Sequence, residues 1–318
     1  MTWPRLRHRR RVVHDDGDPL VRLGQGEYRR DLHAQDFNMP ETTTATGAPA
    51  DRLDPGFLIR EPADVYHTRS AEHITAHRLA NFRRCPLLFR KKEQGLVAEH
   101  DSTAYLLGRA AHVLILEGRQ RYEAEFAVGG PINPKTGQPF GSGTKAFAEW
   151  AECIGKPVLS DDQAALLEQM AASVQAHIFA RELLARGVPE GVIRCQYAGH
   201  RCQSRLDWIN PLPDRGIVDL KTTDSLDGFE FDISAYRYVE QMAFYRALVT
   251  EVAGVVLPVH LIAVEKREPY RCGVWQIASR VLDAAQAENE RAMRELARCR
   301  ETGVWPTGFE TLRLYDRT

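Results

Sequence analysis

Two short runs in the second half of the chain, SRLDWI at 204–209 and IVDLKTT at 217–223, constrain the fold more than any other feature. Each is too short for a helix, rich in β-branched and apolar residues, and bounded by breakers, so each predicts a strand. Side chains on a strand alternate between faces. Arg205 and Asp207 therefore share a face on the first strand, and Asp219 and Lys221 share one on the second, while Val218 and Leu220 point the other way. A third run at 192–197 precedes them, a strongly amphipathic pattern at about 233–252 predicts a helix, and strand patterns at 257–265 and 271–277 lead into a final helix over 279–300. Helix between strands implies a crossover, so these elements predict an α/β (α+β) domain with a central mixed sheet flanked by helices.

The front of the chain is helical. An amphipathic pattern begins at Ile74 and is broken at Pro86, with Arg83, Arg84, Arg90, Lys91 and Lys92 on its polar side; a solvated face and a lining for a DNA path are both open. A helix runs from Ser102 to Glu117 with Gly118 as its stop, 129–144 is a glycine- and proline-rich loop, and helices follow near 145–154 and 161–186. Residues 1–56 lack apolar periodicity and contain a threonine-rich run, which predicts a disordered tail; 57–318 then forms a single domain. Met39 is a candidate translation start, and upstream translated sequence is preferred to a DNA-binding arm for Arg9, Arg10 and Arg11.

Charge and cysteine usage narrow the function classes. A formal net charge of −1 over 318 residues supplies no general attraction for nucleic acid, so such binding requires a local basic surface. Six cysteines without C-x-x-C spacing argue against a zinc ribbon or redox motif, and with no signal peptide or apolar membrane run the expectation is a cytoplasmic protein that does not engage membranes.

Asp207, Asp219, the backbone carbonyl of Leu220 and Lys221 make an oxygen-rich corner suited to Mg²⁺, with Lys221 placed to orient or help deprotonate a water and to offset transition-state charge. A lone D-x-K is commonplace and is more often a surface ion pair. Here it lies in an apolar strand twelve positions after another strand aspartate, and before a helix with Arg237, Gln241 and Tyr245 on one stripe; the last two serve equally well as core-edge residues.

These motifs, Asp207, then DLKTT at 219–223, then Gln241 and Tyr245, resemble the core of PD-(D/E)XK nucleases of the RecB-like branch. With GRAAHVLILEG at 108–118 and VEKREPY at 264–270 the chain is similar, over roughly 64–310, to RecE-type 5′–3′ exonucleases of phage and prophage recombination. Pattern alone makes His112 a core-facing histidine; the resemblance implies a metal ligand, and with an imidazole ligand Mn²⁺ joins Mg²⁺ as an expected cofactor. It also suggests Glu190 as a further acid, against a solvated loop glutamate. Arg205, Thr222, Arg237, Gln241, Tyr245, Arg83 and Arg84 are the expected DNA contacts.

The resemblance further implies duplex DNA ends as substrate, 3′ single strands as product, a ring-shaped homo-oligomer and a RecT-type single-strand annealing protein as partner. The alternatives are a structure-specific or CRISPR-adaptation-like endonuclease of the same superfamily, an inactive DNA-binding module and, most remote, a non-nuclease metalloprotein. HRLANFRRCPLLF at 77–89 is similar to the opening helix of iron–sulfur nucleases, but Cys272 and Cys299 have the wrong spacing to complete a cluster, so none is expected and Cys85 reads as a packed thiol.

Overall fold

The computed structural model describes residues 54–97, 103–210, 212 and 214–315. The expectations for the tail up to residue 53, including Met39 and the early arginines, lie outside the described residues, as does Ser102. The expected tail boundary at 56 falls inside a 3₁₀ turn, Pro55–Phe57, whose entry is capped by Asp54 accepting from the Gly56 N–H at 2.9 Å. Leu58, next in sequence, is already buried.

Three helices open the described chain: α1 (Ala63–Arg69), α2 (Ala76–Arg84) and α3 (Pro86–Glu93). Pro86 starts a helix here instead of kinking one, because Cys85 is extended and its sulfur accepts the Leu88 N–H. α4 (Thr103–His112) continues through a π-helical turn, Val113–Glu117, and ends at Gly118, whose φ of 89° requires glycine. α5 (Arg119–Glu125), the two-residue parallel strands β1 (Ala127–Val128) and β2 (Val158–Leu159), and α6 (Lys145–Ile154) form a small outer layer. The run predicted as one helix over 161–186 is two, α7 (Asp161–Ala176) and α8 (Ile178–Leu184): Ser160 and Gln163 make a capping box for α7, and the extended His177 ends it and caps α8.

Five strands follow: β3 (Val188–Tyr197), β4 (His200–Asn210), β5 (Gly216–Thr223), β6 (Val259–Glu265) and β7 (Cys272–Gln276). They lie side by side in that order. All neighbours are antiparallel except β5 and β6, which the crossover α9 (Phe229–Ala235) and α10 (Tyr238–Ala253) makes parallel, so the sheet is mixed as expected. The predicted 233–252 helix is divided at Arg237, which adopts a left-handed conformation (φ 57°, ψ 40°). α11 (Ser279–Thr302) closes the fold.

On β5 and β6, strand alternation sorts the core into two clusters, one on each face. Ile217, Leu261 and Ala263 pack with Leu79, Phe82, Met242, Phe244 and Met293, from α2, α10 and α11. Val218, Leu220, Ile262 and Val264 pack with Ala111, Leu167, Met170 and Trp208, which joins α4 and α7 to the sheet. Each of the valine, leucine, isoleucine, methionine and phenylalanine side chains contributes about 1.5–3 kcal/mol on burial. Against that background, a fully buried charge in β5 stands out.

Candidate active site

The site begins where the sheet splits. β4 and β5 pair only at Trp208–Val218, Ile209–Ile217 and Asn210–Gly216; beyond that β4 stays with β3 while β5 stays with β6. Asp207 and Asp219, the next residues in register, stand at the mouth of this fork. The Leu220 N–H, left without a strand partner, donates instead to Asp207 Oδ2 at 2.9 Å. One strand residue points its N–H and C=O to the same side, which turns the Leu220 carbonyl toward the fork along with its N–H.

Across the fork, α4 delivers His112, whose Nδ1 is 3.4 Å from Asp207 Oδ2. β3 delivers Glu190, held at φ 54°. Donor atoms of His112, Glu190 and Asp207 all lie within 4.8 Å of one another. Burial pushes the Glu190 carboxyl up to about 8, with the charge of Asp207 adding to the rise and Arg205 opposing it. Asp219 is 1% exposed, and burial pushes it up to about 6 while Lys221 pulls the other way. Its Oδ2 has no hydrogen bond of proper geometry, although Lys221 Nζ makes an ion-pair contact there at 2.6 Å. Burying a carboxylate costs several kcal/mol unless charge compensates it. Acids that resist ionising together, a buried carboxylate oxygen without a well-formed hydrogen bond and an imidazole within reach fit a divalent cation held by His112, Asp207 and Glu190, with Asp219 and the Leu220 carbonyl beside it.

Lys221 is half-buried. Its ammonium donates to Gln241 Oε1 at 3.2 Å, and Gln241 in turn donates to the Tyr245 hydroxyl at 2.8 Å. Burial would pull Lys221 down, but Asp219 and Asp207 outweigh it and hold it above the ordinary lysine range. The helix stripe thus comes together with the strand motif, apart from Arg237: as the left-handed residue before α10 it points to Glu240, at 2.8 Å, and does not join Gln241 and Tyr245. Arg205 is paired to Glu190 at 2.7 Å. Arg83 is turned inward, 3.9 Å from Glu240, so of the two helix arginines Arg84 alone stays exposed, and Thr222 is half-buried next to the site on β5. One contact was not anticipated: the Tyr238 ring lies 4.5 Å from Lys221 Nζ. Its signal, an aromatic at the start of a helix whose next turn carries Gln241, was present in the sequence but ambiguous.

One family model matches residues 76–317, described as a PDDEXK-like domain of unknown function (DUF3799). The chain belongs to that family. The match spans the PDDEXK-like domain from α2 past α11, so both strands of the fork and His112 lie inside it. Among solved structures, the PDDEXK-like domain is similar to a candidate exonuclease from Eubacterium rectale, with a TM-score of 0.58 at 16% identity, covering 82% of this chain and 96% of that one. At that identity the likeness establishes the fold. No curated protein matches the chain. Among the described residues, no helix is long and apolar enough to cross a membrane.

Proposed function

We propose that this PDDEXK-like domain is a divalent-metal-dependent nuclease, a 5′–3′ exonuclease acting on the ends of linear duplex DNA and leaving 3′ single strands for recombination. The observation that carries the reading is the fork itself, which gathers Asp207, Asp219 and Lys221 with His112 and Glu190 where β4 and β5 part. Family membership supports a nuclease of this fold, as does the fold of the Eubacterium rectale protein.

The chain's own groups divide the chemistry. A bound Mg²⁺ or Mn²⁺ would supply a water acidic enough to attack near neutral pH and countercharge for the phosphate oxygens. His112, Asp207 and Glu190 hold the cation's place, and the Leu220 N–H fixes the Asp207 carboxylate so that one of its oxygens is oriented. Lys221, whose acidic neighbours favour its protonated form in the metal-free site, serves as a donor that orients the water and offsets charge on the phosphate. While protonated it cannot also accept the water's proton. Gln241, anchored by Tyr245, keeps the ammonium directed into the fork.

The 5′ polarity, a ring-shaped homo-oligomer around DNA and a RecT-type annealing partner rest on the resemblance to RecE-type exonucleases, and a cytoplasmic location on the cysteine pattern and charge. Linear duplex labelled at either end and closed circular duplex, each with Mg²⁺, Mn²⁺ or chelator, test the proposal. Release of nucleotides from 5′-labelled ends with circles spared is the expected result. Nicked or linearised circles would instead mark an endonuclease, and metal-independent retention without cleavage a DNA-binding module.

A further inference from the structure

The ring that contacts Lys221 is half of a pair. Tyr238 is stacked with Tyr236 at 5.7 Å between centroids and 28° between planes. Two residues i and i+2 on a regular helix point away from each other. They meet here because Arg237 between them is left-handed, a conformation that costs a residue with a side chain roughly 1–2 kcal/mol. Strain of this kind persists where the surroundings hold it, and it clusters at functional positions. Tyr236 remains 66% exposed despite its stacking. Of the strongly exposed aromatic side chains among the described residues, it is the one stacked on a ring that touches a residue of the fork.

We infer that Tyr236, backed by Tyr238, is a stacking platform for the nucleobase of a terminal or unpaired nucleotide whose phosphate enters the fork at Lys221. A flat, exposed aromatic face one ring removed from a phosphate-handling cation matches one nucleotide unit, with the base on Tyr236 and the phosphate reaching past Tyr238 to the ammonium. Bases inside a duplex have both faces covered by their neighbours. The platform therefore accepts a base at a strand end or in a single strand, which gives the site a physical reason to prefer ends. This inference rests on the nuclease reading for the phosphate and on Tyr236 for the base.

The test separates the two. Single-stranded oligonucleotides carrying 2-aminopurine at each of the first three positions are titrated, in chelator, with the parent protein, Tyr236→Phe and Tyr236→Ala. The same proteins are then assayed for cleavage of linear duplex with and without abasic sites at those positions. The expected result is quenching of 2-aminopurine at one position by the parent and Tyr236→Phe, loss of that quenching with about tenfold weaker binding in Tyr236→Ala, and sensitivity of the parent, but not of Tyr236→Ala, to an abasic site at that position. Equal quenching and affinity in Tyr236→Ala, or no binding by the parent, overturns the platform. A parent protein that quenches but cleaves no DNA with either metal leaves the platform standing and overturns the nuclease reading instead.

Discussion

Asp219 occupies a strand position that, by burial alone, would be filled by valine or leucine, and its neighbours show what the chain receives for placing a charge there. The ammonium of Lys221 and the carboxylate of Asp207 act on it at once, and His112 stands behind Asp207. Removing either end of this arrangement should fail differently. Lys221→Met should lower kcat about 10²–10³-fold while DNA still binds, since it deletes a group used mainly in the transition state. His112→Ala should raise the metal concentration needed for half-maximal rate by about 10–100-fold, with recovery in excess Mn²⁺. Cleavage rates against metal concentration for both variants distinguish the roles; an unchanged metal requirement with a lower melting temperature would return His112 to the core. Away from the site, His260 on β6 is buried with Nδ1 unpartnered, and burial lowers its pKa, with the Arg215 backbone partly opposing. The unfolded chain then takes up a proton first as pH falls through about 6.5, so the native state loses stability below that pH and regains it above. His260→Gln should flatten that slope, read as the Tm difference between pH 7.5 and 5.5.

Elements show which parts of the fold were legible. β4 and β5 announced themselves through period-two alternation, and their aspartates through being charged in apolar runs. β3 was read as starting at 192 although it starts at Val188, because Pro189, Glu190 and Gly191 look like a turn; on the edge of the sheet the proline's missing N–H is harmless, and that is how Glu190 reaches the site. The break at Arg237 was illegible because neither glycine nor proline marks it, and only tertiary packing holds a left-handed arginine. The same packing logic makes a prediction at the junction of α8 and β4, where Trp208 Nε1 and Asn210 Nδ2 both donate to the Leu183 carbonyl, at 3.1 and 2.9 Å. A Cβ on Gly187 would sit 2.2 Å from Trp208 Nε1 and 2.7 Å from the Ile209 carbonyl oxygen. Gly187→Ala should therefore cost about 1–3 kcal/mol, measured by urea unfolding; a neutral change would mean that Trp208 can move aside freely.

For the molecule as a whole, the two core clusters make the sheet a shared wall, with α10 packed on one face and α4 and α7 on the other. Phe244 on α10 is 1% exposed. Phe244→Ala should cost about 3–5 kcal/mol of unfolding free energy, seen as a lower denaturant midpoint at unchanged slope, whereas Tyr236→Ala on the adjoining surface should leave the midpoint nearly where it was. The narrow seam between β4 and β5 carries a consequence for isotope exchange. Three residue pairs join a ribbon of β3 and β4 to a ribbon of β5, β6 and β7, so in heavy water the two ribbons should deuterate as separate cooperative blocks. At their junction the Leu220 amide is guarded by a side chain and not by a strand: substituting Asp207 should release that single proton to solvent while Val218, two residues away, keeps its own.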